Sequence, residues 1–162
     1  MRLEQPAGTK RASRRFSAPA ATCAAAALLI GSPAHATPIA YAAHVLTGNT
    51  TSRMHLVSAE GATLFEEGTV TGALSGTIKA DLQAGTSLSA RFTIQTRYGS
   101  ISGQGHATAH GSGRYTSFAG TFTATKGTGR YAHVRGHGGL YGVVDRRTDA
   151  VTIQTTGGTL TY

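Results

Sequence analysis

The sequence predicts an all-β protein whose strands form a single antiparallel up-and-down barrel, and three observations support this. Leu, Met, Glu and Lys, which favour helices, are sparse after residue 68, whereas Thr, Gly, Ser, Val and Tyr dominate there. Apolar and polar residues alternate in short segments separated by glycine-containing turns. Roughly seven or eight such segments occur, at the spacing typical of an antiparallel sandwich or barrel. Short connections favour an up-and-down order, and closing the sheet removes edges that promote aggregation.

The predicted strands follow one another from residue 64 onward. They cover residues 65–73, 77–83, 87–98, 101–110, 114–125, 140–144 and 151–162. The alternation is clearest in the third, where Arg91 and Arg97 belong to the polar face and Phe92 and Tyr98 to the other. A glycine-rich bend at 126–139 precedes the sixth strand, and we expect it to turn the chain at a barrel corner.

The first 36 residues have the three parts of a secretory signal peptide. Residues 1–15 are basic, residues 20–30 form an apolar run, and Ala34 and Ala36 are small residues at the positions that signal peptidase reads. The apolar run is shorter than the roughly 20 residues that a membrane-spanning helix needs. We therefore expect a secreted protein with no stable membrane anchor, exported by either the general or the twin-arginine route.

The sequence divides into three segments. Residues 1–36 are the signal peptide, residues 37–58 are a leader or an edge strand, and residues 59–162 are the barrel domain. The middle segment is ambiguous because an apolar stretch at 40–46 precedes a polar turn at 48–52.

Charge and cysteine content exclude several functional classes. Half of the formal net charge of +8 lies in the first 36 residues, and the other basic residues are scattered. A nucleic-acid partner is not expected, because such a partner needs a basic patch. Cys23 is the only cysteine and lies in the apolar run. The exported chain would therefore have no thiol for catalysis, zinc binding or a disulfide.

Part of the sequence resembles a known family. The matching segments are residues 92–101, 118–136, 139–144 and the last strand to Tyr162. The most specific piece is the glycine–threonine–glycine and aromatic arrangement at 127–136. Through these segments the C-terminal part resembles the allene oxide cyclase barrel-like and dirigent-like proteins, especially small secreted actinobacterial members. The resemblance implies an eight-stranded barrel of calycin type, commonly a homodimer or homotrimer, whose plant members cyclise an epoxide fatty acid or direct radical coupling.

Six side chains are candidates for a site in such a barrel. They are Glu67 and Tyr115 as catalytic residues and Tyr98, Tyr131, Tyr141 and Arg97 as ligand-binding residues. Glu66 and Glu67 point to opposite faces, so one of them can enter the barrel mouth, where burial raises a carboxyl pKa and suits it to acid–base work. A tyrosine packs its ring while its hydroxyl orients a ligand, and an inward arginine would bind a carboxylate. The alternatives are a solvated strand end for the glutamates, core packing for the tyrosines and an outward-facing Arg97.

Two motifs suggest a cofactor or a metal but lack the required context. Residues 127–132 match a dinucleotide-binding fingerprint, yet the glycines that follow would end any helix that could face a pyrophosphate. His106 and His110 share a strand, where residues four apart stand about 13 Å from each other, too far to bind one ion. His133 and His137 cross a bend and have no thiolate or carboxylate beside them. We predict no cofactor and no metal.

Two functions are compatible with the sequence. In the first, the barrel binds a small hydrophobic molecule and cyclises it or directs its stereochemistry, mainly by confinement. In the second, the protein is a non-catalytic secreted structural or cell-envelope domain with a filled barrel. The lumen volume distinguishes them, because a ligand pocket needs a cavity of at least about 300 Å³.

Overall fold

A computed structural model describes residues 43–85 and 87–162, which form nine β-strands and one short 3₁₀ helix. The strands are β1 (Val45–Thr47), β2 (Thr50–Glu60), β3 (Thr63–Gly72), β4 (Gly76–Gln83), β5 (Leu88–Thr96), β6 (Gly99–His110), β7 (Tyr115–Gly127), β8 (Arg135–Asp145) and β9 (Ala150–Thr161). The 3₁₀ helix, Gly129–Tyr131, lies between β7 and β8. Within the described ranges, no helix is long and apolar enough to cross a membrane.

Strands β2 to β9 form a closed barrel. Each strand pairs antiparallel with the next one in the chain, and β9 pairs with both β8 and β2. The ring closes through Val151, which faces Val144 of β8 on one side and Met54 of β2 on the other. The predicted all-β, eight-stranded, antiparallel up-and-down barrel is therefore confirmed. The short strand β1 pairs with the end of β9.

Two boundaries differ from the predicted ones. Strand β2 pairs with β3 and β9, so residues 50–58 belong to the barrel rather than to a leader or an edge strand. Its first inward residues, Thr50 and Ser52, are buried but polar. The start of β2 therefore lacks the apolar–polar alternation by which a strand is recognised in a sequence. Strand β8 starts at Arg135 rather than at the predicted residue 140. Its glycine-rich first half still pairs with β7 and β9 through the backbone. The predicted signal peptide lies outside the described residues.

The barrel has two different ends. We call the mouth the end formed by the turns that follow β2, β4, β6 and β8. We call the opposite end the plugged end, because buried residues of the segment between β7 and β8 pack there. In that segment Val134 has no exposed surface and Tyr131 is buried, and Tyr131 packs edge-to-face against Tyr162 at 4.9 Å between ring centroids.

Phenylalanine rings fill the middle of the barrel, and each lies over a glycine of the neighbouring strand. The cross-strand pairs are Phe92–Gly103, Phe118–Gly142 and Phe122–Gly138. A Cβ atom added at Gly138 would lie 2.7 Å from the Phe122 ring, and one at Gly103 would lie 2.8 Å from the Phe92 ring. Both distances are shorter than a carbon–carbon contact allows. These glycines therefore provide the space that the rings occupy.

Candidate functional site

Two cavities lie inside the described barrel. The mouth cavity has a volume of about 340 Å³, and the inner cavity, toward the plugged end, has a volume of about 110 Å³. Six residues line both cavities and form the layer between them: Met54, Ala80, Ala90, Gly105, Leu140 and Ile153. The mouth cavity exceeds the minimum of about 300 Å³ for a ligand pocket, and the inner cavity does not.

The mouth cavity has a mainly apolar wall with a few polar groups. Its larger apolar residues are Met54, Leu64, Leu82, Leu88, Phe118, Leu140, Val144, Val151 and Ile153. Its polar residues are Glu66, His106, Thr116, Arg146 and Asp149. This composition is typical of small-molecule sites, in which apolar surface supplies affinity and a few polar groups fix orientation.

Glu66 is the buried acid of this cavity. Its residue surface is only 4% exposed, and it lines the mouth cavity. Burial raises its pKa to about 7, and the negative charge of Asp149 acts in the same direction. Near neutral pH the carboxyl therefore exists in both protonation states. It can donate a proton to a bound molecule or accept one from it.

Thr116 supplies a second buried polar group. This residue is 5% exposed, and its Oγ1 atom has no hydrogen-bond partner in the described part of the chain. Leaving a buried hydroxyl unsatisfied costs about 1–3 kcal/mol.

The two predicted catalytic residues do not face the lumen. Glu67 lies on the outer face, where it forms an exposed ion pair with Lys79. The carboxyl that enters the barrel is that of Glu66, because Glu66 faces the buried Ala80 across the β3–β4 ladder whereas Glu67 faces Lys79. Tyr115 is 59% exposed, and the guanidinium of Arg114 lies 5.0 Å from its ring centroid. Neither residue lines the mouth cavity or the inner cavity.

The four predicted ligand-binding residues also lie outside both cavities. Tyr141 is half exposed on β8. The ring of Tyr98 packs against two guanidinium groups, Arg97 at 4.5 Å and Arg130 at 5.6 Å from the ring centroid. Tyr131 belongs to the core of the plugged end. This placement matches core packing for Tyr131 and the outward-facing alternative for Arg97, whereas Tyr98 and Tyr141 lie neither in the core nor in a cavity.

No group of three or more metal-ligating side chains occurs in the part of the chain that the structure describes. His106 and His110 both lie on β6, in the extended geometry that separates residues four apart. His133 lies before β8 and His137 within it.

Asp149 offers a direct test of the electrostatics around Glu66. Its backbone φ of 52° lies in the left-handed region, which asparagine also tolerates, so Asp149→Asn removes the charge without straining the turn. Because that charge raises the pKa of Glu66, we expect the variant to lower it. Carboxyl chemical shifts measured by NMR titration check this.

The matched control for that change is Asp145→Asn. Asp145 lies in the same turn region but pairs with Arg114. The pKa of Glu66 should be unaffected by this control. An unchanged Glu66 titration in Asp149→Asn would show that Asp149 does not act on the cavity.

Comparisons with known proteins identify no relative. Neither the protein-family models, nor the curated proteins, nor the solved structures contain a match to this chain.

Proposed function

We propose that this protein is a secreted barrel that binds a small hydrophobic molecule in its mouth cavity, with Glu66 as the group that recognises it. One observation carries the proposal: a glutamate that is only 4% exposed lies in the wall of a mainly apolar cavity of about 340 Å³. Burying such a group costs stability. A ligand that hydrogen-bonds to the Glu66 carboxyl offsets this cost, so the cavity should favour molecules that carry a hydrogen-bonding group.

Catalysis in this cavity would depend mainly on confinement. The cavity would hold an apolar molecule in one conformation, and Glu66 would donate or accept a proton at the reacting atom. Cyclisation and stereochemical direction, the activities that the resemblance to allene oxide cyclase-like and dirigent-like barrels implies, both fit this arrangement. Kinship with that family is part of the proposal, and it is supported by the eight-stranded meander and the resembling segments.

The second candidate function is a structural domain with a filled barrel. The plugged end favours it, because Phe92, Phe122 and Ile101 leave an inner cavity of only about 110 Å³. The volume and the buried acid of the mouth cavity favour ligand binding.

Binding can be tested with N-phenyl-1-naphthylamine, a neutral apolar molecule whose fluorescence rises in apolar surroundings. We expect saturable binding of one molecule per chain. Ala107→Trp should weaken this binding at least tenfold, because Ala107 lines the mouth cavity and an indole would fill it.

The control for this experiment is Ala119→Trp, which places the same indole at an exposed position of β7. It should bind the probe as the unchanged protein does. The structural function is favoured if no saturable binding occurs. Equal binding by both tryptophan variants would place the probe outside the mouth cavity.

The export part of the proposal rests on the N-terminal sequence and has its own test. The full chain, expressed in a secreting bacterial host, should appear in the medium with a mature N-terminus at Thr37. Accumulation of the uncleaved chain in the cells would contradict export. Mass spectrometry of both fractions distinguishes the outcomes.

A further inference from the structure

The plugged end carries a cluster of arginine and tyrosine side chains on its outer surface. Arg97 and Tyr98 lie in the turn between β5 and β6, and Arg130 lies in the 3₁₀ helix. The guanidinium groups of Arg97 and Arg130 lie 4.5 and 5.6 Å from the centroid of the Tyr98 ring. The amide of Arg130 also donates a hydrogen bond to the Tyr98 carbonyl at 2.9 Å. Two cations from separate parts of the chain are therefore held at one aromatic side chain.

Two further cations lie at the same end of the barrel. Lys126 is exposed near the end of β7, where the register shift against β6 leaves Thr125 without a ladder partner. Arg135, the first residue of β8, donates hydrogen bonds from its Nη1 atom to the carbonyls of Thr125 and Val134. Its guanidinium therefore lies against the backbone next to Lys126. Four basic residues that are scattered in the sequence thus lie at one end of the barrel.

The acidic side chains of the described residues lie elsewhere. Three of them belong to the mouth turns or to strand ends there, and the others belong to β3 and β4: Glu60, Asp145 and Asp149, then Glu66, Glu67 and Asp81. The carboxylate of the last residue, Tyr162, is one negative charge beside four cations. The plugged end therefore has a positive potential, which attracts anionic partners.

We propose that the plugged end is a docking surface for an anionic polymer whose backbone carries repeated phosphate groups. A guanidinium presents a planar fork of N–H donors that matches the oxygens of a phosphate. One phosphate has enough oxygens to accept from both Arg97 and Arg130. Successive phosphates along one polymer can reach these two arginines and the neighbouring Lys126 and Arg135 together, which raises the affinity above that of a single phosphate.

The aromatic rings of this surface favour such a polymer over a single-stranded nucleic acid. Nucleic acids of that kind bind by stacking their bases on aromatic side chains. The Tyr98 ring already packs against two guanidinium groups. The Tyr162 ring packs against Arg130, against Tyr131 and, at 5.7 Å between ring centroids, against His44. These contacts occupy the rings that bases would need.

A membrane surface fits the plugged end less well than a soluble polymer does. Docking on a membrane combines cations with apolar side chains that enter the lipid. Apart from Tyr98, Val45 is the large apolar residue that is exposed at this end of the described barrel. One valine supplies little apolar area, so the charges dominate the surface.

Polyphosphate with a fluorophore at one end tests the docking surface, because its anisotropy reports binding to the full chain. We expect saturable binding that weakens about fiftyfold between 50 and 200 mM NaCl, as neutralisation of about four phosphates predicts. The basic residues among the first 36 positions are the same in every variant below, so differences between variants report on the barrel.

Paired substitutions locate the polymer on the protein. Arg97→Gln combined with Arg130→Gln should weaken binding at least tenfold, whereas Arg97→Lys combined with Arg130→Lys keeps the charge and should retain most of it. The control is Arg91→Gln combined with Arg147→Gln, which removes the same charge from exposed positions on the barrel wall and at the mouth. It should change the affinity less than about twofold, because salt screens distant charges. Circular dichroism establishes that each variant is folded.

Three results would overturn this assignment. Equal weakening by the two glutamine pairs would mean that net charge, and not the plugged end, attracts the polymer. Tighter binding of oligothymidylate than of polyphosphate at the same salt concentration would indicate a nucleic-acid partner. Binding to phosphatidylglycerol vesicles without binding to polyphosphate would indicate a membrane. The mouth cavity lies at the other end of the barrel, so binding of N-phenyl-1-naphthylamine should be unchanged in the Arg97 and Arg130 variants.

Discussion

Replacing Phe118 by alanine is expected to lower the free energy of unfolding by about 3–5 kcal/mol. The Phe118 ring is 6% exposed, packs over Gly142 and forms part of the mouth-cavity wall. Its removal leaves a void that the rigid ladders of β7 and β8 cannot close. The chain has no tryptophan, so urea denaturation followed by far-ultraviolet circular dichroism is the suitable measurement.

The control for this loss is Phe65→Ala. Phe65 is the phenylalanine of β3 that alternates to the outer face with Glu67, and its loss should cost less than half as much. Equal losses of unfolding free energy in Phe118→Ala and Phe65→Ala would contradict the packing of the Phe118 ring inside the barrel.

The contact between Phe118 and Gly142 can be tested in the opposite direction. Gly142→Ala inserts a methyl group into the Phe118 ring and should cost about 1–3 kcal/mol, as overpacking does. In the Phe118→Ala background the same change should cost much less, because the ring is gone. Additive effects within about 0.5 kcal/mol would show that the two positions do not interact.

The barrel was predictable because most of its strands show apolar–polar alternation and are bounded by recognisable turns. Two strands lack this pattern for a shared reason. Strand β2 points Thr50 and Ser52 inward, and β8 points Gly138 and Gly142 toward phenylalanine rings. Small or polar inward residues remove the apolar half of the pattern, although the backbone ladder continues.

The site was less predictable, because the facing of a side chain depends on how the sheet closes. Alternation puts Glu66 and Glu67 on opposite faces, and the pairing of Glu66 with the buried Ala80 shows that Glu66 is the one inside. A local signal did exist, since Leu64 and Val70 lie on the same face as Glu66. The tyrosines predicted to bind a ligand line neither cavity, and phenylalanines occupy inward positions of the barrel instead. Tyr98 instead packs its ring against arginine at the surface.

The stability of the protein should fall as the pH rises through the range in which Glu66 titrates. Burial raises its pKa from an ordinary value of 4.5 to about 7 in the folded state. Between these values the unfolded chain binds fewer protons at this group than the folded chain, so the free energy of unfolding decreases with rising pH. The contribution is fully present below pH 4.5 and is lost by about pH 7. It amounts to at most about 3 kcal/mol, because solvent at the mouth screens part of it.

The contribution of Glu66 is isolated by comparison with Glu66→Gln, because other carboxyls titrate in the same experiment. Asp145 acts in the opposite direction: its hydrogen bonds to Arg114 lower its pKa, so its contribution is lost as the pH falls. Urea denaturation at several pH values should show the unchanged protein losing stability relative to Glu66→Gln between pH 4.5 and 7. Glu67→Gln, which alters the outer ion pair with Lys79, should follow the unchanged protein.

Parallel pH profiles for the unchanged protein and Glu66→Gln would mean that the carboxyl is hydrated in the folded state. In that case the Glu66 carboxyl would not be shielded from water, and its proposed role in ligand recognition would be overturned. The pH profile should diverge as expected in the free protein. Above about pH 7 it should converge again when the protein is saturated with an apolar ligand that carries a hydroxyl group. That result would connect the burial of Glu66 with its role in ligand recognition. The stability lost on ionising the buried carboxyl would then be the free energy that a hydroxyl-bearing ligand recovers by hydrogen-bonding to it.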